Sequence, residues 1–320
     1  MRNQDDTIML SVILVAYNHG PYISRALDSV LMQQTDFKFE IIIAEDFSTD
    51  DTREVIRQYQ NDNPGRFRVL FREKNVGVKE NVTEAEALAS GKYLAILNCD
   101  DFWRDPNKLN QQVNFLENNP EFSLVYHDSN VVDESGNIVR NHQFDIRRSW
   151  TREELISGIG FATTNSALYL KLVSAERKKF NVFNGDTLRW HLLGFHGEGK
   201  YLENILPAAY RIHAGGIWSS LDHRKKFEYL LHTFSVIRKN IIDKCGVMSR
   251  ELRLHDQIYY QIFSSFFFIS LKDKSPKNFL YCIWQMIRVK QFRAIPIFFY
   301  SLSVIGKKLA IKTARIARIQ

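Results

Sequence analysis

Short, uninterrupted apolar runs separated by amphipathic stretches constrain this chain more than anything else in it. Leu10-Ser11-Val12-Ile13-Leu14-Val15-Ala16-Tyr17, Phe39-Glu40-Ile41-Ile42-Ile43-Ala44 and Tyr93-Leu94-Ala95-Ile96-Leu97 lack the strict in–out alternation of a strand with one wet face. Strands of this type are buried on both faces, which happens in parallel sheets covered by helices. After the first run, Asn18-His19-Gly20-Pro21 reads as a turn with proline near a helix start. The helix, about Tyr22 to Gln34, puts Ile23, Ala26, Leu27, Val30 and Leu31 on one face. Asp50 and Asp51 can cap a further helix to about Tyr59, followed by a strand Phe67 to Phe71 and a helix Val82 to Ala89. The expected fold is α/β, with a mostly parallel central sheet flanked by helices. In such sheets ligands gather at the C-terminal ends of the strands, where Tyr17, Glu45-Asp46 and Asp100-Asp101 fall.

The third run ends in Asp100-Asp101-Phe102-Trp103. Two adjacent carboxylates at a strand end repel each other and resist desolvation unless a cation offsets them, and hard oxygen ligands suit Mg²⁺ or Mn²⁺. The pair can equally cap a following helix, Pro106 to Leu116, and this stretch alone leaves both readings open.

A 45% apolar composition allows a substantial core in 320 residues. Cys99, Cys245 and Cys282 are odd in number and far apart, which suits reduced thiols better than disulfides or a zinc site. The N-terminus has no apolar signal segment, and no uncharged apolar run approaches the ~18 residues of a membrane span. The expectation is a cytoplasmic protein. Past Trp150, Thr151 and Glu154 form a capping box, and an irregular stretch with Gly158 and Gly160 follows. From about Ser220 the segments are long, helical and aromatic, placing a boundary near 215. The net charge of +7 is concentrated at the end: residues 274–320 hold ten Lys/Arg and no acid. Their interleaving with Phe279, Trp284, Phe292, Phe298, Phe299 and Tyr300 suits an amphipathic helix on anionic lipid. No nucleic-acid motif accompanies the charge.

In order along the chain, these motifs resemble the inverting family-2 glycosyltransferases with the glycosyltransferase-A fold, over roughly Leu10 to Ser219. The resemblance rests on the opening Ser11 to Asn18, the loop Glu45-Asp46-Phe47-Ser48-Thr49-Asp50-Asp51-Thr52, Asn75-Val76-Gly77 with Asn81, and Asp100-Asp101-Phe102-Trp103 with Pro106, Lys108 and Leu109. Gly185-Asp186 and Tyr210-Arg211-Ile212-His213 complete it. It implies a catalytic domain over 1–215, with a nucleotide-sugar half to about 105 and an acceptor half from 106, and a helical basic extension over 216–320. It also implies a metal-dependent enzyme moving one sugar from a nucleotide-sugar to a saccharide or lipid-linked saccharide hydroxyl in bacterial surface-polysaccharide assembly.

The resemblance carries roles to particular residues. Val15, Ala16, Tyr17, Asp46, Lys79, Asn98 and Asp100 would contact the nucleotide; Asp100, Asp101 and His213 would hold the Mn²⁺ or Mg²⁺; Asp186 would be the catalytic base. The chemistry agrees. Asp46 can accept the ring N–H of uracil or thymine and Tyr17 can stack on that ring, favouring a UDP- or dTDP-sugar, with guanine a further candidate. Many relatives carry a third acid where this chain has Asn98. Asp186 can take the proton of the acceptor hydroxyl.

Gly194 to Tyr201 approaches a phosphate-binding loop in spacing but ends in tyrosine where a Ser or Thr belongs. Arg189-Trp190 echoes the signature of polymerising relatives, but Asp186 stands where their glutamine would be, so single-sugar transfer is expected. The alternatives are a sugar-1-phosphate nucleotidyltransferase, whose Gly-rich early loop is missing, and a non-catalytic nucleotide-sugar-binding scaffold.

Overall fold

The computed structural model describes residues 7–144, 147–216, 218 and 220–288. The chain divides into two compact units, Met1–Ser220 and Leu221–Gln320.

The first unit opens with β1 (Leu10–Ala16), α1 (Gly20–Leu31), β2 (Phe39–Glu45), α2 (Thr52–Asp62), β3 (Phe67–Phe71), α3 (Val78–Leu88) and β4 (Tyr93–Asn98). Then come α4 (Lys108–Asn118), β5 (Phe122–Tyr126), β6 (Ser129–Val132), β7 (Ile138–Arg140), α5 (Arg152–Ser157), β8 (Leu168–Leu170) and α6 (Ser174–Arg177). It closes with α7 (Gly185–Gly194), β9 (Glu198–Tyr201) and β10 (Ala208–Arg211). Seven strands form the main sheet in the order β3-β2-β1-β4-β8-β5-β9, and β10-β6-β7 form a second, small sheet. The first four are parallel, as the apolar runs predict, and β8 runs antiparallel to both its neighbours.

All seven residues of β1 are buried. Leu10, Val12 and Leu14 join Ile41, Ile43, Ala95 and Leu97 in one cluster with Ile23, Ala26, Leu27 and Val30 of α1. Full burial of each such aliphatic side chain is worth about 1.5–3 kcal/mol, so this cluster fixes the register of the central strands. That register sets Val15 beside Asn98 and Ala16 beside Glu45, bringing the ends of β1, β2 and β4 to one rim.

Several expected boundaries move. Helix α1 begins two residues before Tyr22 because the cross-bonded turn preceding it supplies its first N–H partners, and α3 begins at Val78, well ahead of Val82. The Thr151–Glu154 capping box forms as expected. Helix α7 starts at Gly185 with Asn184 at its cap position, leaving Asp186 inside the first turn.

The second unit contains α8 (His223–Cys245), α9 (Arg250–Lys272) and α10 (Pro276–Arg288). Asp222 and Ser249 cap the first two through the N–H groups of Lys225 and Leu252. Phe227 stacks on Phe266 with ring centroids 4.0 Å apart, within a core that includes Phe234, Tyr259, Phe263 and Phe267. Among the described residues no helix is long and apolar enough to cross a membrane. Of the basic segment 274–320, everything after Arg288 lies outside the described residues.

Candidate active site

Two loops at the C-terminal rim are stitched together by side chains of one motif. The N–H of Asn18 donates to Ser48 Oγ (3.0 Å), that of His19 to Thr52 Oγ1 (2.8 Å) and that of Gly20 to Asp50 Oδ2 (2.9 Å). In return, Thr49 N–H donates to Asn18 Oδ1 at 2.8 Å. Asn18 adopts φ 55°, a left-handed conformation that asparagine tolerates better than most residues. Fully buried Glu45 accepts from Ser48 N–H and lies 2.8 Å from Arg53 Nε. Much of the Glu45–Thr52 motif therefore holds the turn that carries His19.

The next pair of contacts involves Asp46. Its two carboxylate oxygens accept from the N–H groups of Val76 (2.7 Å) and Gly77 (2.9 Å). Gly77 has φ 84° and ψ 152°, a region essentially closed to residues with a Cβ, so glycine is needed for this grip. Tyr17 is 41% exposed at the same rim. The backbones of Val15 and Ala16 are engaged in the sheet rim: Val15 O accepts from Cys99 N–H and Ala16 O from Asp46 N–H. Asn98 ends β4 half-buried, and exposed Lys79 donates to Asn181 Oδ1 at 2.7 Å.

Asp100 is the centre of the arrangement. Its Oδ2 lies 3.1 Å from His213 Nε2 and 3.9 Å from His19 Nε2, and the three ligand atoms fall within 4.8 Å of one another. Asp100 Oδ1 is buried without a partner. Burial pushes the Asp100 carboxyl up, but the His213 hydrogen bond and the attraction of both histidines outweigh it and hold it below the usual value. Burial lowers His19 despite the pull of Asp100, favouring a neutral imidazole with a lone pair to offer. One carboxylate and two imidazoles around an unpaired oxygen make a donor set that fits a divalent cation.

Asp101 faces a different environment. It is 3% exposed, and its oxygens accept from Arg211 N–H (2.9 Å) and Asn165 Nδ2 (3.0 Å). Burial and the neighbouring Asp100 charge push its carboxyl well up. The structure thus groups Asp100 with His213 and His19, while both Asp101 oxygens take protein N–H donors. Arg211 braces the other flank: its Nε donates to Asp100 O (2.8 Å) and its Nη1 to Asp133 O (3.0 Å).

Asp186 is half-buried in the first turn of α7, where Oδ1 accepts from Thr187 N–H at 2.7 Å. The helix is locked by its own polar side chains: Trp190 Nε1 donates to Ala162 O, and Arg189 Nη2 to Glu86 Oε1. A Cβ on Gly194 would come within 2.7 Å of Ile156 N, so glycine permits the close packing of α7 on α5.

His19 is the member of the cluster missing from the expected ligand set. Its signal was present: a histidine in the turn directly after the first strand, on the rim where the chemistry was expected.

The rim gathers one carboxylate, two imidazoles and an exposed aromatic at the C-terminal ends of the strands, and comparison with known proteins gives the class. Residues 11–173 match the family described as glycosyl transferase family 2, and the chain belongs to it. It is a glycosyltransferase. An uncharacterized protein of Mycobacterium tuberculosis (strain ATCC 25618 / H37Rv) is 35% identical over 242 residues, 73% of this chain and 68% of that one. Staphylococcus aureus TarS 1-349, solved with UDP-GlcNAc, aligns with a TM-score of 0.67 at 18% identity, over 90% of this chain and 83% of that chain. The mannosyltransferase PcManGT of Pyrobaculum calidifontis, solved with GDP-Man and Mn²⁺, aligns with a TM-score of 0.58 at 16% identity, over 95% and 81%. Both share the glycosyltransferase-A fold.

Proposed function

We propose that the chain is a cation-dependent inverting glycosyltransferase that moves one sugar from a nucleotide-sugar, UDP- or dTDP-linked by preference, to a saccharide hydroxyl. The observation that carries this reading is the Asp100–His213–His19 cluster, with an unpaired Asp100 oxygen, at the rim shared by β1, β2 and β4. Asp100, His213 and His19 would hold the ion, and two imidazoles favour Mn²⁺ over Mg²⁺. When bound, the ion supplies positive charge at the diphosphate as the nucleotide departs. Asp101 then acts as a scaffold that fixes Arg211 and Asn165 around the pocket.

Tyr17 offers its ring to the base, and Asp46, though engaged with the 76–77 backbone, keeps further lone pairs for a ring N–H. Val15, Ala16, Asn98 and Lys79 complete the nucleotide contacts in this reading. Asp186 accepts the acceptor's proton; direct attack on the face opposite the nucleotide inverts the anomeric centre. Catalysis is assigned to 1–215. The remaining residues, above all the basic 274–320, hold the enzyme against an anionic membrane surface at the inner face of the cell membrane, near a lipid-linked acceptor. Surface-polysaccharide assembly is the setting that the family resemblance implies.

Donor binding and turnover test the proposal together. A panel of nucleotide-sugars is screened by thermal shift with Mn²⁺ and with chelator, since a ligand of the native state raises the melting temperature. The expected result is a shift that needs both ion and nucleotide and disappears in Asp100→Asn. Asp186→Asn should keep that shift while losing roughly 10²–10⁴ in kcat, the usual worth of a general base. Equal turnover by Asp186→Asn removes the base assignment.

A further inference from the structure

Phe102, next to the cation pocket, carries two guanidinium groups. Arg25 Cζ lies 3.7 Å from its ring centroid and Arg211 Cζ 5.5 Å from it. Phe102 itself is 4% exposed, whereas Arg25 and the following Arg104 are exposed. The partners of these arginines are main-chain carbonyls: Arg25 Nη1 donates to Ser135 O at 3.3 Å, and Arg211 to Asp100 O, Asp133 O and Glu134 O. Among the described residues, neither Arg25, Arg104 nor Arg211 forms an ion pair with a carboxylate.

Like charges packed this closely cost free energy unless a counter-charge arrives. Burial together with the fields of Arg211 and Arg104 lowers Arg25, and no acid offsets the effect. The nearest carboxylates are committed: Asp100 is bonded to His213, and Asp101, which feels the Arg211 charge, accepts from the Arg211 N–H and from Asn165. Glu134, whose charge reaches Tyr22, contributes its carbonyl to Arg211. Arginine presents planar forks that match the oxygens of a phosphate, and one such group would satisfy the free N–H donors and the excess charge at once.

The position is informative as well. Arg25 sits one turn beyond Tyr22 on α1, and the Tyr22 ring packs on His213 with centroids 4.9 Å apart. Arg211 lies between, its Cζ 4.7 Å from the Tyr22 ring. The arginines therefore border the cation pocket on the side built from β10 and the turn after β6, whereas Asp46 and its 76–77 grip belong to the side built from β2.

We propose that Arg25, Arg104 and Arg211 form an anion subsite that receives a phosphate group of a substrate at the edge of the Asp100 pocket. The proposal rests on reading that pocket as the donor site. The phosphate is one carried by the acceptor; the donor diphosphate is the competing source, and the two are separable.

Inorganic phosphate is titrated into the full chain, first with chelator so that no ion bridges it, in wild type and in the Arg25→Gln/Arg104→Gln double variant. Saturable binding by wild type, weakened roughly tenfold or more in the double variant and partly restored by Arg25→Lys/Arg104→Lys, is the expected result. The titration is then repeated with Mg²⁺ and saturating UDP. Phosphate that binds beside UDP is the expected result; phosphate that UDP displaces belongs to the donor diphosphate and overturns the proposal. Absence of saturable binding in wild type, or equal affinity in wild type and a double variant that melts like wild type, overturns the proposal. Retained UDP–Mg²⁺ binding in that case leaves the reading of the Asp100 pocket standing.

Discussion

At the scale of single residues, the pocket depends on groups whose partners fix their protonation. His19 is held low by burial, so in the proposed reading it would stay available as a ligand to more acidic pH than an ordinary histidine, with protons competing with the ion only below that point. His19→Gln should weaken Mn²⁺ binding while leaving the fold intact, read by ion titration with a nucleoside diphosphate present. Gly77→Ala is a second test. Its strained backbone should cost about 1–3 kcal/mol, or be relieved by releasing Asp46, which would raise the donor Kd with little change in the Asp100 cluster. Asp100 drew notice as a strand end and His213 through the family resemblance of its Tyr-Arg-Ile-His segment, and the structure brings the two side chains together. The place of Asp101 was not legible. Two adjacent carboxylates look equivalent in a sequence, but one meets two imidazoles and the other an asparagine amide and a main-chain N–H. His19 escaped for a related reason: its approach to Asp100 is made by three hydrogen bonds from residues about thirty positions away.

At the scale of elements, one buried carboxylate ties three helices. Glu86 of α3, 1% exposed, accepts from Arg177 of α6 (2.9 Å) and Arg189 of α7 (2.9 Å). Helix α3 begins at the Gly77 grip and α7 carries Asp186, so this cluster links the segment gripping Asp46 to the one bearing the proposed base. Glu86→Gln leaves two buried guanidinium groups without a counter-charge and should destabilise by about 3–5 kcal/mol. The pH dependence has a definite sign. Burial alone would raise the Glu86 carboxyl, but Arg189 and Arg177 outweigh it and bring it below its ordinary value of 4.5. Its contribution is therefore complete above that ordinary value and lost as pH falls through the lower folded one. Denaturation midpoints from pH 7 to 3 should show wild type and Glu86→Gln converging only in the acidic range. A constant gap would contradict the account. The parallel half of the sheet was legible because β1, β2 and β4 are largely apolar over six or seven residues each. The strands from β5 to β10 have three to five residues each, too few for a period to emerge, and the pairing of β8 with β4 and β5 depends on contacts far apart in sequence.

At the scale of the whole molecule, the helical unit after Ser220 has its own aromatic core, and its composition had announced helices without strands. On α10, Leu280 and Trp284 are 65% and 51% exposed, one helical turn apart, ahead of the remaining basic residues. Removal of residues 274–320 should abolish co-sedimentation with anionic vesicles while leaving the cation-dependent thermal shift. Undiminished sedimentation would reject membrane attachment by this segment. The stitching of the two rim loops bears on how such an enzyme can change. Ser48, Asp50 and Thr52 hold the backbone that presents His19, so in the proposed reading a lineage drifting toward a different donor could not retune that loop freely without disturbing the ion. The latitude falls instead on Tyr17, 41% exposed at the same rim, because Phe47 is itself held in a left-handed conformation (φ 61°) with Arg53 Cζ 5.4 Å from its ring centroid.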